Sequence, residues 1–426
     1  MTPARLPDAP TQPGSTRIVG ATVVDGTGAP PRIADVEIRD GVVVSVGPTS
    51  AAATRPDRTV DARGLHVLPG FVDVHVHLTM PNDSRSESQA TKFAEEHAFA
   101  TAESMRQTVA AGVTAARDLA GLTPGYRNAV AAGHIVGPRM HVAIALLSPT
   151  GGHADPVRAN GSLADYVAYE PIPSGAVVDS DAEAIRAVRT LLRTGADVIK
   201  VCTTGGISTP EDSPDDLGIS EDQVRLIARE VARRGGRPIA AHAQGLAGAL
   251  EAVRGGATSL EHGYEMSDEL IREMLRRGTV LVPTLSTLNL APDPSRKPPA
   301  VIAKKLEWQH RGRDAASRAV AAGVPVAMGT DAGIHPHGAN LAELGHLVAA
   351  GLSPLEAIRA GTQTGARLLG LDAHLGTVTT GRIADLVLTD ADPVADITSL
   401  ADPERVRAVT IGGRKVKDLD GFFTSQ

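Results

Sequence analysis

Aromatic residues are scarce in this chain. They make up 2% of its 426 residues, with one Trp, four Tyr and five Phe. The interior must therefore be built from aliphatic side chains, and a hydrophobic content of 42%, ordinary for a globular protein, allows it. There is one cysteine, Cys202, which excludes an intrachain disulfide and a zinc site made of thiolates. No uninterrupted apolar run approaches the ~18–20 residues of a membrane span. Residues 1–15 are rich in Pro, Ala and Thr and hold no apolar signal-peptide core. A basic block is missing too: 42 basic against 49 acidic residues leave a net charge of −7, which argues against nucleic acid as the main partner. The expectation is a cytoplasmic protein with a disordered start (1–15), a small-molecule substrate, and no membrane or nucleic-acid partner.

What is present falls into two textures. Near the N-terminus, 16–26 and 36–47 read as short alternating strands, the second pair joined by the hairpin signal Asp40-Gly41. The same texture returns at 376–390 and 406–416. The two ends are expected to form one small β-sandwich, from 16–66 and 373–426, around an inserted domain (67–372). In that insert, apolar runs at 67–78, 114–119, 140–147, 198–204, 238–243, 259–263, 280–285 and 326–332 alternate with amphipathic stretches such as 181–193, 220–234 and 300–322. Several stretches stop at glycine, as at Gly112, Gly195, Gly235, Gly256 and Gly323. Eight βα units over about 270 residues are the size of a (β/α)8 TIM barrel, so the fold class is α/β. A doubly wound sheet is the alternative, but no Gly-x-Gly-x-x-Gly follows a first strand.

Barrel enzymes place their chemistry at the C-terminal strand ends. The first run ends in Asp73-Val74-His75-Val76-His77, where alternation points both imidazoles the same way, as a borderline divalent metal requires. Lys200 lies in the fourth run, His242 and His262 end the fifth and sixth, and Asp331 ends the eighth. Each alone has a plain reading: a core histidine, a helix cap, a lysine reaching a carboxylate. Together they form one constellation. Lys200 stands out because a lysine inside an apolar strand is costly without a use. Its carboxylation by CO2 would give a carbamate able to bridge two ions.

These residues resemble the amidohydrolase superfamily, in particular the members with a bimetal centre. The likeness runs from Ile18 to about Lys417 and includes 68–77, 199–206, 329–333 and 381–387. The segments Ser148-Pro149-Thr150-Gly151-Gly152-His153-Ala154-Asp155 and Pro336-His337-Gly338-Ala339-Asn340 resemble the prolidase-like, imidazolonepropionase-related branch, which includes Xaa-Pro dipeptidases, carboxypeptidases and ochratoxin-type N-acyl amino acid hydrolases. The resemblance implies two divalent ions, with zinc expected and manganese, iron or cobalt compatible with the same N/O ligands. His75, His77 and Asp331 would hold the more buried ion and His242 and His262 the other, with carboxylated Lys200 bridging. It implies cleavage of an amide in a dipeptide or N-acyl amino acid by a metal-bridging hydroxide, with Asp331 as general base and then acid, and assembly into homo-oligomers. A deaminase, a lactone or ester hydrolase, and a non-catalytic scaffold are the alternatives. Deaminases of the superfamily carry a glutamate shortly after the fifth-strand histidine, where this chain has Ala243-Gln244-Gly245. Relatives often place a tyrosine or histidine at the position of Gln244, so substrate handling is expected to differ there. Further candidate substrate contacts are His153, His337 and Tyr126 with Arg127; His335 is read as solvent-facing and Cys202 as packing.

Overall fold

Buried and half-exposed residues alternate along β1 (Ser15–Val23), β2 (Arg32–Arg39) and β3 (Val42–Gly47), the pattern of strands with one face on a core. Asp40 and Gly41 both take positive φ, 50° and 79°, closing the β2–β3 hairpin. The computed structural model describes residues 11–48, 55–80, 92–157, 160–161, 175–208, 211–295 and 299–423. Of the segment read as a disordered start, 1–10 lies outside these residues. Beyond it the chain is tied down: Gln12 N donates to Gly412 O (2.9 Å), and Ser15 opens β1.

β1 pairs with β4 (Arg58–Asp61) and with β5 (His66–Pro69), and β5 pairs with a strand from the far end of the chain, β15 (Leu386–Thr389). β16 (Val406–Ile411) and β17 (Arg414–Asp418) complete one eight-stranded sheet in the order β17-β16-β15-β5-β1-β2-β3, with β4 on β1. The expected sandwich is thus a single hydrogen-bonded sheet. Its β3 edge curls back to the segment before β15 through the Val42–Ile383 bridge, and the sheet encloses Ile18, Val36, Val43, Leu386 and Leu388. Burying each such aliphatic side chain is worth about 1.5–3 kcal/mol.

The barrel begins only after this sheet. The apolar run 67–78 is two strands, not one: β5 belongs to the small sheet and β6 (Phe71–Val76) to the barrel. The break is Gly70. Its N–H donates to Asp385 O (2.7 Å), and any Cβ there would collide with the Thr114 side chain. Parallel strands β6, β7 (Val113–Asp118) and β8 (Arg139–Val142) form one part of the barrel wall. β9 (Leu146–Ser148), flanked by β10 (Gly175–Val177), continues it through β11 (Ile199–Cys202), β12 (Ile239–Ala243), β13 (Ser259–His262) and β14 (Val280–Val282). The third run, expected as one strand, breaks at Ile144, whose φ is 72°. β8 pairs with β7, β9 with β11, and Asp197 N bridges to Val142 O (2.8 Å). The eighth run forms no ladder of its own. It lies between β14 and β6, with Ala327 N bonded to Leu281 O (3.0 Å), Val74 N to Met328 O (3.0 Å) and Asp331 N to His75 O (2.8 Å). Gly329 lets it pass close to the His75 and Val282 side chains.

Helices pack outside: α1 (Ala94–Ala110), α2 (Pro124–Ala131), α3 (Asp181–Thr194), α4 (Glu221–Ala232), α5 (Leu246–Gly255), α6 (Asp268–Arg277), α7 (Leu285–Asn289), α8 (Pro299–Ala321) and α9 (Ala342–Ala349). Capping boxes at Ser180/Glu183 and Ser220/Gln223 start α3 and α4, and left-handed Gly195 and Gly256 stop α3 and α5. Among the described residues no helix is long and apolar enough to cross a membrane.

Barrel and sheet are pinned together by a buried bidentate pair, Arg139 Nε to Asp385 Oδ2 (2.9 Å) and Nη2 to Oδ1 (3.1 Å), both side chains nearly inaccessible. Gly412 N adds a third donor to Asp385 (2.7 Å). Asp385→Ala leaves the guanidinium buried without its carboxylate, and the expected loss is about 3–5 kcal/mol. A lowered thermal midpoint checks it; an unchanged one shows the pair contributes nothing.

Candidate metal centre

β6 delivers His75 from its barrel face and His77 just beyond its last residue. The passing eighth segment delivers Asp331 against both, with Asp331 Oδ1 3.5 Å from His75 Nε2 and 3.2 Å from His77 Nε2. All three are buried, and their ligand-type atoms lie within 4.8 Å of one another. β13 brings the His262 ring 5.1 Å from that of His75, and β12 brings His242 4.5 Å from His262. Lys200, on β11, is buried among them, and its charge bears on all four imidazoles. The six residues singled out at the strand ends thus converge.

Three of the four rings, His75, His242 and His262, are each oriented through one nitrogen. His75 Nδ1 donates to Glu261 Oε2 (2.8 Å), and His242 Nε2 donates to Gly205 O (3.2 Å). His262 Nδ1 bonds Thr284 Oγ1 (2.8 Å), itself 3.0 Å from the Tyr264 hydroxyl. This leaves His75 Nε2, His242 Nδ1 and His262 Nε2 as lone-pair sites. Lys200 Nζ and His77 Nδ1 are buried without a hydrogen-bond partner. Burial holds His75 and His242 well below the usual imidazole range and takes His262 to about 3, so these rings are neutral. Burial also lowers the Lys200 ammonium, to about 8. It would raise the Asp331 carboxyl, but the His77 contact and the surrounding imidazoles outweigh it and hold the group below the carboxylate range. Two of the ligand candidates, His262 (φ 71°) and Asp331 (φ 58°), take left-handed backbone conformations, as does Thr284 (φ 49°). Non-glycine residues take this conformation uncommonly, and such strained positions tend to cluster at functional sites.

Several members of this arrangement escaped sequence reasoning. Asp73 accepts Thr330 Oγ1 (2.7 Å) and Asn340 Nδ2 (2.8 Å), fixing the approach to Asp331. Its place in Asp73-x-His75-x-His77 was the available signal. Glu261 is held by Arg117 Nη2 (2.8 Å) and Ser259 Oγ (2.5 Å), all buried inside the barrel. Here the signal was a charged residue of opposite sign in each of two wholly buried strands, β7 and β13.

The substrate candidates divide. His153 stacks on His242 (centroids 4.1 Å apart, 18° between planes), and its Nδ1 meets Asp212 Oδ2 (2.7 Å). Gln244 is buried beside the centre with Oε1 accepting Ile207 N (3.0 Å). His337 is buried and donates from Nε2 to Met80 O (2.8 Å). Tyr126 and Arg127 do not join them. Tyr126 packs on the barrel core from α2, and Arg127 pairs with Asp197 at the turn leading into β11, which uses up the guanidinium expected for a substrate carboxylate. His335 is buried rather than solvent-facing, because the loop after Asp331 folds back through His335 N to Asp331 O (3.2 Å). Burial pushes the Cys202 thiol up to about 12, which keeps it protonated.

Residues 66–416 match the model of the amidohydrolase family. The chain belongs to that family. It is 32% identical over 419 residues to ochratoxinase of Aspergillus niger, covering 94% of this chain and 86% of the relative. A solved prolidase complexed with N-methylphosphonate-L-proline superposes with a TM-score of 0.87 at 30% identity, over 95% of this chain and 100% of that one. A Xaa-Pro dipeptidase with methionine bound in its active site gives 0.85 at 28%, over 94% and 99%. As a member of the amidohydrolase family this chain is a hydrolase of amide bonds, and its (β/α)8 barrel is that of its relatives.

Proposed function

We propose that this amidohydrolase uses two divalent ions and a carboxylated Lys200 to cleave the amide of an N-acyl amino acid or dipeptide, releasing the free amino acid. The observation that supports it most is the division of labour at the rings: one nitrogen of each of His75, His242 and His262 is tied to an acceptor while the other is left toward the centre. Metal-binding histidines are characteristically oriented this way. The orphaned Lys200 Nζ fits the same picture. Its addition to CO2 forms an N–C bond, releases a proton, and turns an unsatisfied buried amine into two ligand oxygens. Zinc suits this nitrogen and oxygen set. The substrate class draws on the relatives, one named for ochratoxin and two holding an amino acid or an N-phosphonylated one.

When bound, the ions supply an acidified water and polarise the substrate carbonyl. The protein's own groups then do the following. The Asp331 carboxylate takes a proton from the attacking water and returns it to the departing amide nitrogen. His153, stacked over His242, and Gln244 border the place where the substrate lies. Gln244 offers no acid, unlike the proton-shuttling glutamate of superfamily deaminases, so amide cleavage is favoured over ammonia release.

The test is metal-stripped protein reconstituted with zinc, cobalt or manganese in bicarbonate, assayed on dipeptides, N-acyl amino acids, lactones and amino-heterocycles. Amine release from amides, absent in the stripped protein, is the expected result. Full hydrolysis without metal, or ammonia release from heterocycles alone, overturns the proposal.

A further inference from the structure

The two halves of the centre are oriented by different chemistry. His242 and His262 lean on neutral groups, a peptide carbonyl and a hydroxyl. His75 leans on a carboxylate. Glu261 Oε2 accepts a hydrogen bond from His75 Nδ1, and Glu261 Oε1 is clamped by Arg117 Nη2 and Ser259 Oγ. Arg117 is itself fixed through Nε to Val74 O (2.6 Å) and through Nη1 to Ser259 Oγ (3.1 Å). The fully buried guanidinium therefore links β7, β6 and β13 directly beneath the centre. A second observation points the same way. Among the described residues, His75, His77 and Asp331 are the group of three whose ligand atoms already converge.

We infer that Glu261, held by Arg117, makes the two metal positions unequal. The His75–His77–Asp331 position fills first and keeps its ion longer; the His242–His262 position fills second and exchanges. An anionic acceptor on Nδ1 strengthens Nε2 as a donor more than a carbonyl or hydroxyl does, and such outer partners are worth about 10–100-fold in metal affinity. The converged ligands need little ordering when the ion arrives. Arg117 is a positioning residue here: it acts only through Glu261, and it prevents the carboxylate from turning toward the ions itself.

The inference rests on the two-ion reading, and the experiment separates the two. Metal-stripped full-length protein is titrated calorimetrically with Zn2+ in bicarbonate, and with Co2+ to follow the visible absorption of each position. The parent is expected to show two binding events of different affinity. In Glu261→Gln, which keeps the shape but loses the charge, the tighter event weakens about 10–100-fold and the weaker event changes little. If Glu261 and Arg117 only brace the barrel, metal-free E261Q melts earlier and both events weaken alike, which overturns the inference; so does an unchanged tight event. A single event in the parent that takes up two ions per chain overturns the inequality alone, and one that takes up a single ion overturns the two-ion reading with it. Should E261Q fail to fold, Ser259→Ala, which removes a competing hydroxyl donor and leaves more of the carboxylate's charge to His75, is expected to strengthen the tighter event alone, and no such shift counts against the inference.

Discussion

Lys200→Ala is expected to lose both ions together and to drop kcat/KM by about 10³-fold or more. The magnitude follows from what the ions supply: several kcal/mol of charge stabilisation, at about 1.4 kcal/mol per tenfold in rate. The joint loss follows from geometry. Lys200 bears by its charge on all four imidazoles, so a carbamate formed there would offer an oxygen to each position and its removal would weaken both. The barrel should survive the change, because Nζ makes no hydrogen bond to lose and the strand pairing of β11 with β9 and β12 is through its backbone. Metal content per chain by mass spectrometry, with circular dichroism to confirm folding, reads the result. Acetate or propionate, small enough for the vacated space, should restore part of the metal and part of the rate. Two retained ions in K200A would sink the bridging role.

The second large effect is Asp331→Asn, for which a fall in kcat of about 10²–10⁴-fold is expected, with KM changed only a few-fold. Asn is nearly the same size and, like Asp, tolerates the left-handed conformation that residue 331 occupies, so the backbone has no reason to move. What disappears is the ability to take a proton and give it back. Zinc content has to be measured alongside, since Asp331 also faces His75 and His77. A mutant that keeps its metal and turns over at the parental rate rules out the proton-transfer role. A KM that rises while kcat holds assigns Asp331 to binding instead.

Much of the centre was legible because barrel architecture turns a one-dimensional pattern into a common end. His75, His77, Lys200, His242, His262 and Asp331 could be found by asking what each apolar run finishes on. The helix stops were equally plain, since left-handed glycines such as Gly195 and Gly256 leave a mark in sequence. The strand breaks were not. Residues 67–72 are apolar on both sides of Gly70, because each side is buried, one in the small sheet and one in the barrel; hydrophobicity cannot say in which. Ile144 carries no sign of its positive φ, since isoleucine is a residue that ordinarily avoids it. The eighth segment reads as a strand but is held by scattered bonds to β14 and β6 rather than by a ladder, and it passes close to His75 at Gly329. Tyr126-Arg127 reads as a carboxylate receptor in sequence, whereas the fold gives the Arg127 guanidinium to Asp197. Arg117 and Glu261 were passed over for the opposite reason: each looks misplaced alone, and only the fold brings them together.

The pairing of β5 with β15 has a consequence in time. Pro69 and Leu386 are partners in one ladder although the entire barrel is encoded between them. As the chain leaves the ribosome, β1 to β5 emerge early with the edge of β5 uncovered, and its proper neighbour is made last. Pairings between distant segments are slow to form, and an open strand edge invites foreign strands meanwhile. The strand that carries His75 is the direct continuation of that waiting edge through Gly70. The support for the His75 strand on that side is therefore expected to wait until residues 386–389 have been made, which ties the settling of the first ligand pair to a segment far beyond the last ligand.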